Sequence, residues 1–159
     1  MIEVKAGDIV LARGTKWRHW LSRKLLHFYW NHVLLCRDDN EILELTLKQG
    51  VRVGDMNEYR QKQIVILRRV DAAYLDESWM RAALYNYEIL DFDWVGFVLK
   101  CLQLPVGYRS GKILCDDFAQ SVYAGAGVYV DFRKLMEDDL TDSSILKRYG
   151  LERIYDYRY

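Results

Sequence analysis

Strand-like segments crowd the first half of this chain and helical ones the second, and that order constrains the fold more than any other feature. Residues 8–12 form a short apolar run behind Gly7, and residues 33–36, 42–47, 50–54 and 64–67 read as further short strands. Residues 76–90 read as a helix capped by Asp76, with Trp79, Ala82, Ala83 and Tyr87 on one face. Residues 94–102 give a second helix stopped before Pro105, and the tail carries a last one from about 142 to 149. Strands followed by helices predict an α+β domain with an antiparallel sheet rather than a parallel βαβ fold. At 159 residues the chain reads as one domain, 1–159, able to bury roughly 70% of its unfolded surface.

The segment from Asn31 to Leu47 is a hairpin whose register can be counted. A three-residue loop of Asp38, Asp39 and Asn40 pairs Arg37 with Glu41, which puts His32 opposite Thr46 and Leu34 opposite Glu44. Cross-strand partners share a face, so Glu44 lies diagonal to His32 at about 7–8 Å between backbones, within reach of an imidazole. A two-residue loop would shift the register by one and send Glu44 to the opposite face. Cys36 shares the His32 face by parity and reads best as core.

Cys115 opens a short helix whose Leu114, Phe118 and Val122 recur every fourth residue. A helix N-terminus favours a thiolate, whereas Asp116 and Asp117 in the first turn oppose one. An imidazole base answers that opposition. With Cys115 as nucleophile, His32 as base and Glu44 as orienter, the three residue types make a triad for attack on a carbonyl carbon. The Cys115 backbone amide is the first candidate for an oxyanion donor. Cys101 sits in an apolar helix and reads as buried, and His19 and His27 belong to no motif.

Composition narrows the partners. Lys and Arg number 23 and Asp and Glu 23, so no whole-molecule field draws the chain to nucleic acid. The three cysteines lack metal-site spacing and are an odd number, and the three histidines form no HExxH pattern. No metal and no cofactor are expected. Residues 1–5 hold no secretory apolar stretch, and the expected location is the cytoplasm as synthesised, with a phage or virus setting open. The oligomeric state is not readable.

Several of these residues also resemble motifs of the circularly permuted papain-like cysteine hydrolases, the YiiX-like relatives of the NlpC-type peptidases. Gly7-Asp8-Ile9-Val10-Leu11 resembles the opening motif of that group, and Asn31-His32-Val33 its histidine strand. Leu43-Glu44 ahead of Gly50-Val51 is similar to the next-strand polar position, and Cys115-Asp116-Asp117-Phe118 to the nucleophile helix. Asp91-Phe92-Asp93-Trp94 stands where a tyrosine-containing motif is common, with Phe92 in the tyrosine's place. Asp116-Asp117 stands for a Ser-Glu pair. The resemblance spans roughly residues 5–128. It implies a permuted papain-like fold, an antiparallel sheet or partial barrel packed against helices, and thiol-dependent cleavage of an amide bond through a thioacyl intermediate.

Peptide cross-links or stem peptides of a bacterial wall are the substrate class that the resemblance suggests. Asn31, Phe92 and Trp30 are the expected substrate contacts. The alternative is a lipid-directed acyltransferase or acyl hydrolase of the lecithin:retinol acyltransferase type. A non-catalytic binding protein on the same scaffold is a third reading. Residues 17–30 interleave Arg18, Arg23 and Lys24 with Trp17, Trp20, Phe28 and Trp30 as an amphipathic helix. Such a segment packs on a core with a solvated basic face or touches an anionic membrane peripherally.

Overall fold

The computed structural model describes residues 4–14, 17–38, 40–59, 61–71 and 90–158. Among them, β1 (Ile9–Arg13), β2 (His32–Cys36), β3 (Glu41–Thr46), β4 (Gly50–Asp55), β5 (Gln63–Arg69) and β8 (Leu151–Tyr157) form one sheet in the order β4-β3-β2-β1-β5-β8. Every pairing in it is antiparallel. Two two-residue strands, β6 (Asp91–Phe92) and β7 (Lys112–Ile113), pair in parallel beside it. The helices are α1 (Trp17–Leu26), α2 (Trp94–Cys101), α3 (Cys115–Gly125), α4 (Phe132–Glu137) and α5 (Ser144–Arg148). The α+β class with an antiparallel sheet is as expected, and the sheet is open rather than a closed barrel. The helix expected over 76–90 falls almost wholly outside the described residues.

Alternation along the strands divides the core in two. Val33 and Leu35 of β2 join Ile9, Leu11, Val65 and Leu67 on the face covered by α3 and α4, with Phe118, Val122, Phe132 and Leu135 packed against them. Leu34 and Cys36 face the other way, with Val10, Ile42, Ile64, Ile66 and Tyr59. The period of two that makes such a sheet bury both faces is why β1, β2 and β5 read as nearly continuous apolar runs.

The β2–β3 hairpin holds the counted register, with Leu34 opposite Glu44, Leu35 opposite Leu43 and Cys36 opposite Ile42. Arg37 N donates to Glu41 O at 2.8 Å, and the two side chains are ion-paired.

Four elements differ from the sequence reading. The amphipathic segment 17–30 is helical only to Leu26. His27 takes a left-handed backbone (φ 56°), and Tyr29 N and Trp30 N then donate to Met136 O, which draws the chain into the core. The tail helix is shorter than expected, spanning Ser144–Arg148, and Gly150 (φ 62°) turns the chain into β8. The strand β8 and the helix α4 were not read from sequence. Leu151–Tyr157 is an edge strand with mixed burial and a bulge opposite Ile66 and Leu67, so its alternation is blurred.

The Gly7-Asp8 opening is structural. Gly7 has φ 85°, its carbonyl accepts from the buried Tyr123 hydroxyl, and its N–H donates to Cys36 O. Asp8, almost fully buried, accepts two hydrogen bonds from the Arg68 guanidinium and one from Lys5 N. These contacts tie α3, β1 and β5 together below the site.

Candidate active site

Four elements bring the site together. β2 starts with His32, β3 carries Glu44, the end of β4 leads into a 3-10 turn (Met56–Tyr59), and α3 starts with Cys115. His32 Nε2 and Glu44 Oε2 are 2.9 Å apart, while the directly opposite residue to Glu44 is Leu34. The pair is therefore the diagonal contact that the hairpin register predicts.

Glu44 is the most constrained group in the site, 1% exposed and held at both oxygens. Tyr59 donates its hydroxyl to Oε2 at 2.5 Å, and Arg52, its neighbour across β3 and β4, donates to Oε1 at 2.5 Å. Arg52 also reaches Glu58 at 2.9 Å. Burial alone would raise the Glu44 carboxyl, but the hydrogen bonds from His32 and Tyr59 and the Arg52 charge outweigh it and hold the group at about 2. A carboxylate at neutral pH accepts only, so His32 Nε2 carries the proton and Nδ1 is left as the basic nitrogen. Gly54 leaves room for this clamp, since a Cβ there would stand 2.8 Å from Glu44 Oε1. Arg52 and Tyr59 were not singled out from the sequence. An arginine directly across a strand pair from a glutamate was the available signal for one, and none pointed to Tyr59.

Cys115 is half-buried at the first turn of α3, where Leu114 supplies no side-chain cap. Its thiol is pushed up to about 12, by burial first and the Asp116 charge second; Lys100 and backbone hydrogen bonds at Val33 and Asp116 pull the other way. The helix start does not make a resting thiolate, and the favourable dipole is outweighed by desolvation. Lys100 from α2 pairs with Asp116 at 2.6 Å beside it. The Val33 contact places the sulfur over the beginning of β2, next in sequence to His32.

Cys115, His32, Glu44, Arg52 and Tyr59 all line one cleft of about 450 Å³. Its remaining wall is mostly apolar, with Leu25, Phe28 and Leu47 on one side and Phe92, Trp94 and Phe97 on the other. Phe92 stacks edge-on against Trp94. Asn31 lines the cleft and its Oδ1 accepts from Gly14 N at 2.6 Å. Trp30 does not line it. It is fully buried in the core with its indole N–H on Asp138 O at 3.0 Å, so its expected substrate contact is replaced by a packing role. A larger, more open depression of about 1030 Å³ lies under residues 103–112 and holds neither Cys115 nor His32.

Asp93 caps α2 by accepting from Gly96 N at 2.8 Å, and its own N–H donates to Ile113 O. It therefore fixes the strand pair that leads into Cys115.

No protein-family model matches this sequence, and no curated protein matches it. Among solved structures, the chain is similar to the metalloprotein YiiX from Escherichia coli O157:H7, DUF1105, with a TM-score of 0.67 over 99% of each chain and 8% sequence identity. The fold is that of YiiX. At this identity the likeness concerns the path of the chain, not its chemistry. YiiX is described as a metalloprotein, yet among the described residues here no group of three or more His, Cys, Asp or Glu is placed to hold a metal ion. Both Glu44 oxygens are engaged by protein donors. Among the described residues the donor set does not fit a metal. No described helix is long and apolar enough to cross a membrane.

Proposed function

We propose that the protein is a thiol-dependent hydrolase that cleaves an amide bond, with Cys115 as nucleophile, His32 as general base and Glu44 as orienter. The observation that carries this reading is the convergence of the three in one cleft, with Glu44 fixing the imidazole so that Nδ1 is the free base. Because the thiol rests protonated, the base acts during attack rather than before it. His32 Nδ1 takes the Cys115 proton as sulfur bonds to the carbonyl carbon, and the resulting imidazolium is stabilised by Glu44. The Cys115 backbone N–H, at an uncapped helix start, supports the oxyanion. Collapse breaks the C–N bond, His32 returns the proton to the leaving amine, and a thioester remains. Water activated by His32 then releases the acid and restores the thiol.

The walls favour the acyl-lipid alternative as the substrate class. Leucine, phenylalanine and tryptophan side chains flank Cys115, which suits an acyl chain better than a polar wall peptide. The test is amine release from a series of N-acyl amides of rising chain length, set beside purified cell-wall peptides. The reading expects rates that rise with chain length and vanish in Cys115→Ala. Equal rates in Cys115→Ala would contradict the chemistry, and cleavage confined to wall peptides would contradict the substrate class.

A further inference from the structure

One face of the molecule is built from exposed apolar residues that none of the described elements covers. α2 carries one charged residue, Lys100, paired with Asp116, and is otherwise apolar. Phe97 packs against the core, while Trp94, Val98 and Leu102 are 53%, 50% and 63% exposed. A helix this apolar is normally buried, and this one is not. The chain beyond it continues in the same way, with Leu104 and Val106 exposed and Tyr108 93% exposed. α1 packs beside α2 and adds Trp20 and Leu25, both exposed, with the Lys24 ammonium over the Trp20 ring.

The charge on these segments has one sign. Residues 9–37 contain six Lys or Arg and no Asp or Glu, and residues 94–115 contain three and none, in a chain whose net charge is zero. Lys24, Arg109 and Lys112 stand exposed around the apolar residues, Arg109 3.9 Å from Asp93 and Lys112 paired with Asp91 at 2.9 Å. Tyr108 and Arg109 share a depression with Trp94 and Val95, so the loop and α2 form one surface. Exposed Leu25 and Trp94 belong both to this surface and to the cleft wall.

We infer that α1, α2 and the 102–112 loop dock the protein on an anionic lipid bilayer, with the cleft mouth against the lipid. Aromatic and aliphatic side chains enter the headgroup boundary and the surrounding cations meet lipid phosphates. A bilayer is the occupant because the face joins a broad apolar centre to a basic segment, residues 13–24, that holds five Lys or Arg and no carboxylate. A second copy of this chain would set those like charges against one another. The inference stands apart from the proposed catalysis, although together they would bring an acyl chain to Cys115.

The experiment is co-sedimentation of the whole protein with phosphatidylcholine vesicles, with and without about one-third phosphatidylglycerol, at rising salt. The wild type is expected to bind the phosphatidylglycerol vesicles at least tenfold more tightly than the neutral ones, and to lose that preference as salt rises. Val98→Glu/Leu102→Glu is expected to lose at least tenfold, with unchanged circular dichroism. Should that variant not fold, the surface charge reversals Lys24→Glu/Arg109→Glu test the same face. Cys115→Ala is expected to bind like the wild type, which separates docking from catalysis. Equal affinity for both vesicles, unaltered binding by the face variants, or a wild-type dimer that these variants split would overturn the inference.

Discussion

His32 and Glu44 meet across a hairpin diagonal, with Nε2 and Oε2 2.9 Å apart, and the contact is fixed by a strand register rather than by a loop. Leu34, not His32, faces Glu44 directly, so a slip of one residue would break the pair. Glu44→Gln should keep the fold and slow amide cleavage by roughly 10²–10⁴-fold, since a neutral amide no longer stabilises the imidazolium. Single-turnover rates for the two proteins check this, and a loss under about threefold would speak against an orienting role.

The same residue makes a statement about acid stability. The Glu44 carboxyl is held at about 2 in the folded protein, below its ordinary value of about 4.3 when unfolded. A depressed carboxyl contributes stability above its unfolded pKa, and that contribution fades as pH falls through the folded one. The contribution is on the order of 2–3 kcal/mol at neutral pH. Urea unfolding should show a gap between wild type and Glu44→Gln that narrows from about pH 5 towards pH 2, where a constant gap would deny the linkage.

Cys115 should alkylate slowly at neutral pH. Its thiol is raised to about 12 by burial and by Asp116, and only the small deprotonated fraction reacts with iodoacetamide. Asp116→Asn removes the negative neighbour and leaves the Lys100 charge unopposed, so labelling at pH 9 should accelerate several-fold. Site-resolved mass spectrometry reads the rates. A wild-type labelling midpoint below the free-thiol value of about 8.5 would show a resting thiolate instead.

Gly54 is the floor on which the Glu44 side chain rests. Gly54→Ala puts a methyl group 2.8 Å from Oε1 and 3.3 Å from Ile42 Cγ1, displacing the carboxylate from Arg52. Activity should fall at least tenfold with a loss of about 1–3 kcal/mol in stability. Asp8→Ala makes the contrast. It removes the buried carboxylate that takes two hydrogen bonds from Arg68 and one from Lys5 N, at a cost of roughly 1–3 kcal/mol, without touching the cleft. Thermal unfolding beside activity at a permissive temperature distinguishes the two, and an Asp8→Ala protein that is stable but inactive would assign Asp8 to the chemistry.

How much was legible follows the range of each interaction. The β2–β3 register and the His32–Glu44 diagonal could be counted because loop length and period two are local properties. The start of α3 at Cys115 was local as well. The end of α1 was not, because Tyr29 and Trp30 leave the helix for Met136, more than a hundred residues away in sequence. Trp30 was misplaced for the same reason, its indole being held by Asp138. Strand β8 depends on an edge of β5 that only the folded sheet supplies. The thiol's direction of shift was also hidden. Sequence displays a helix start and two acids, whereas the burial that dominates comes from the packing of α3 against the sheet.

The most direct test of the central claim is intact-protein mass spectrometry during reaction with an activated N-acyl amide. The account predicts a transient acyl adduct mapped to Cys115, absent from Cys115→Ala and formed roughly 10²–10⁴-fold more slowly in His32→Ala. An adduct on another residue, or one that forms on Cys115 at the same rate without His32, would contradict the triad.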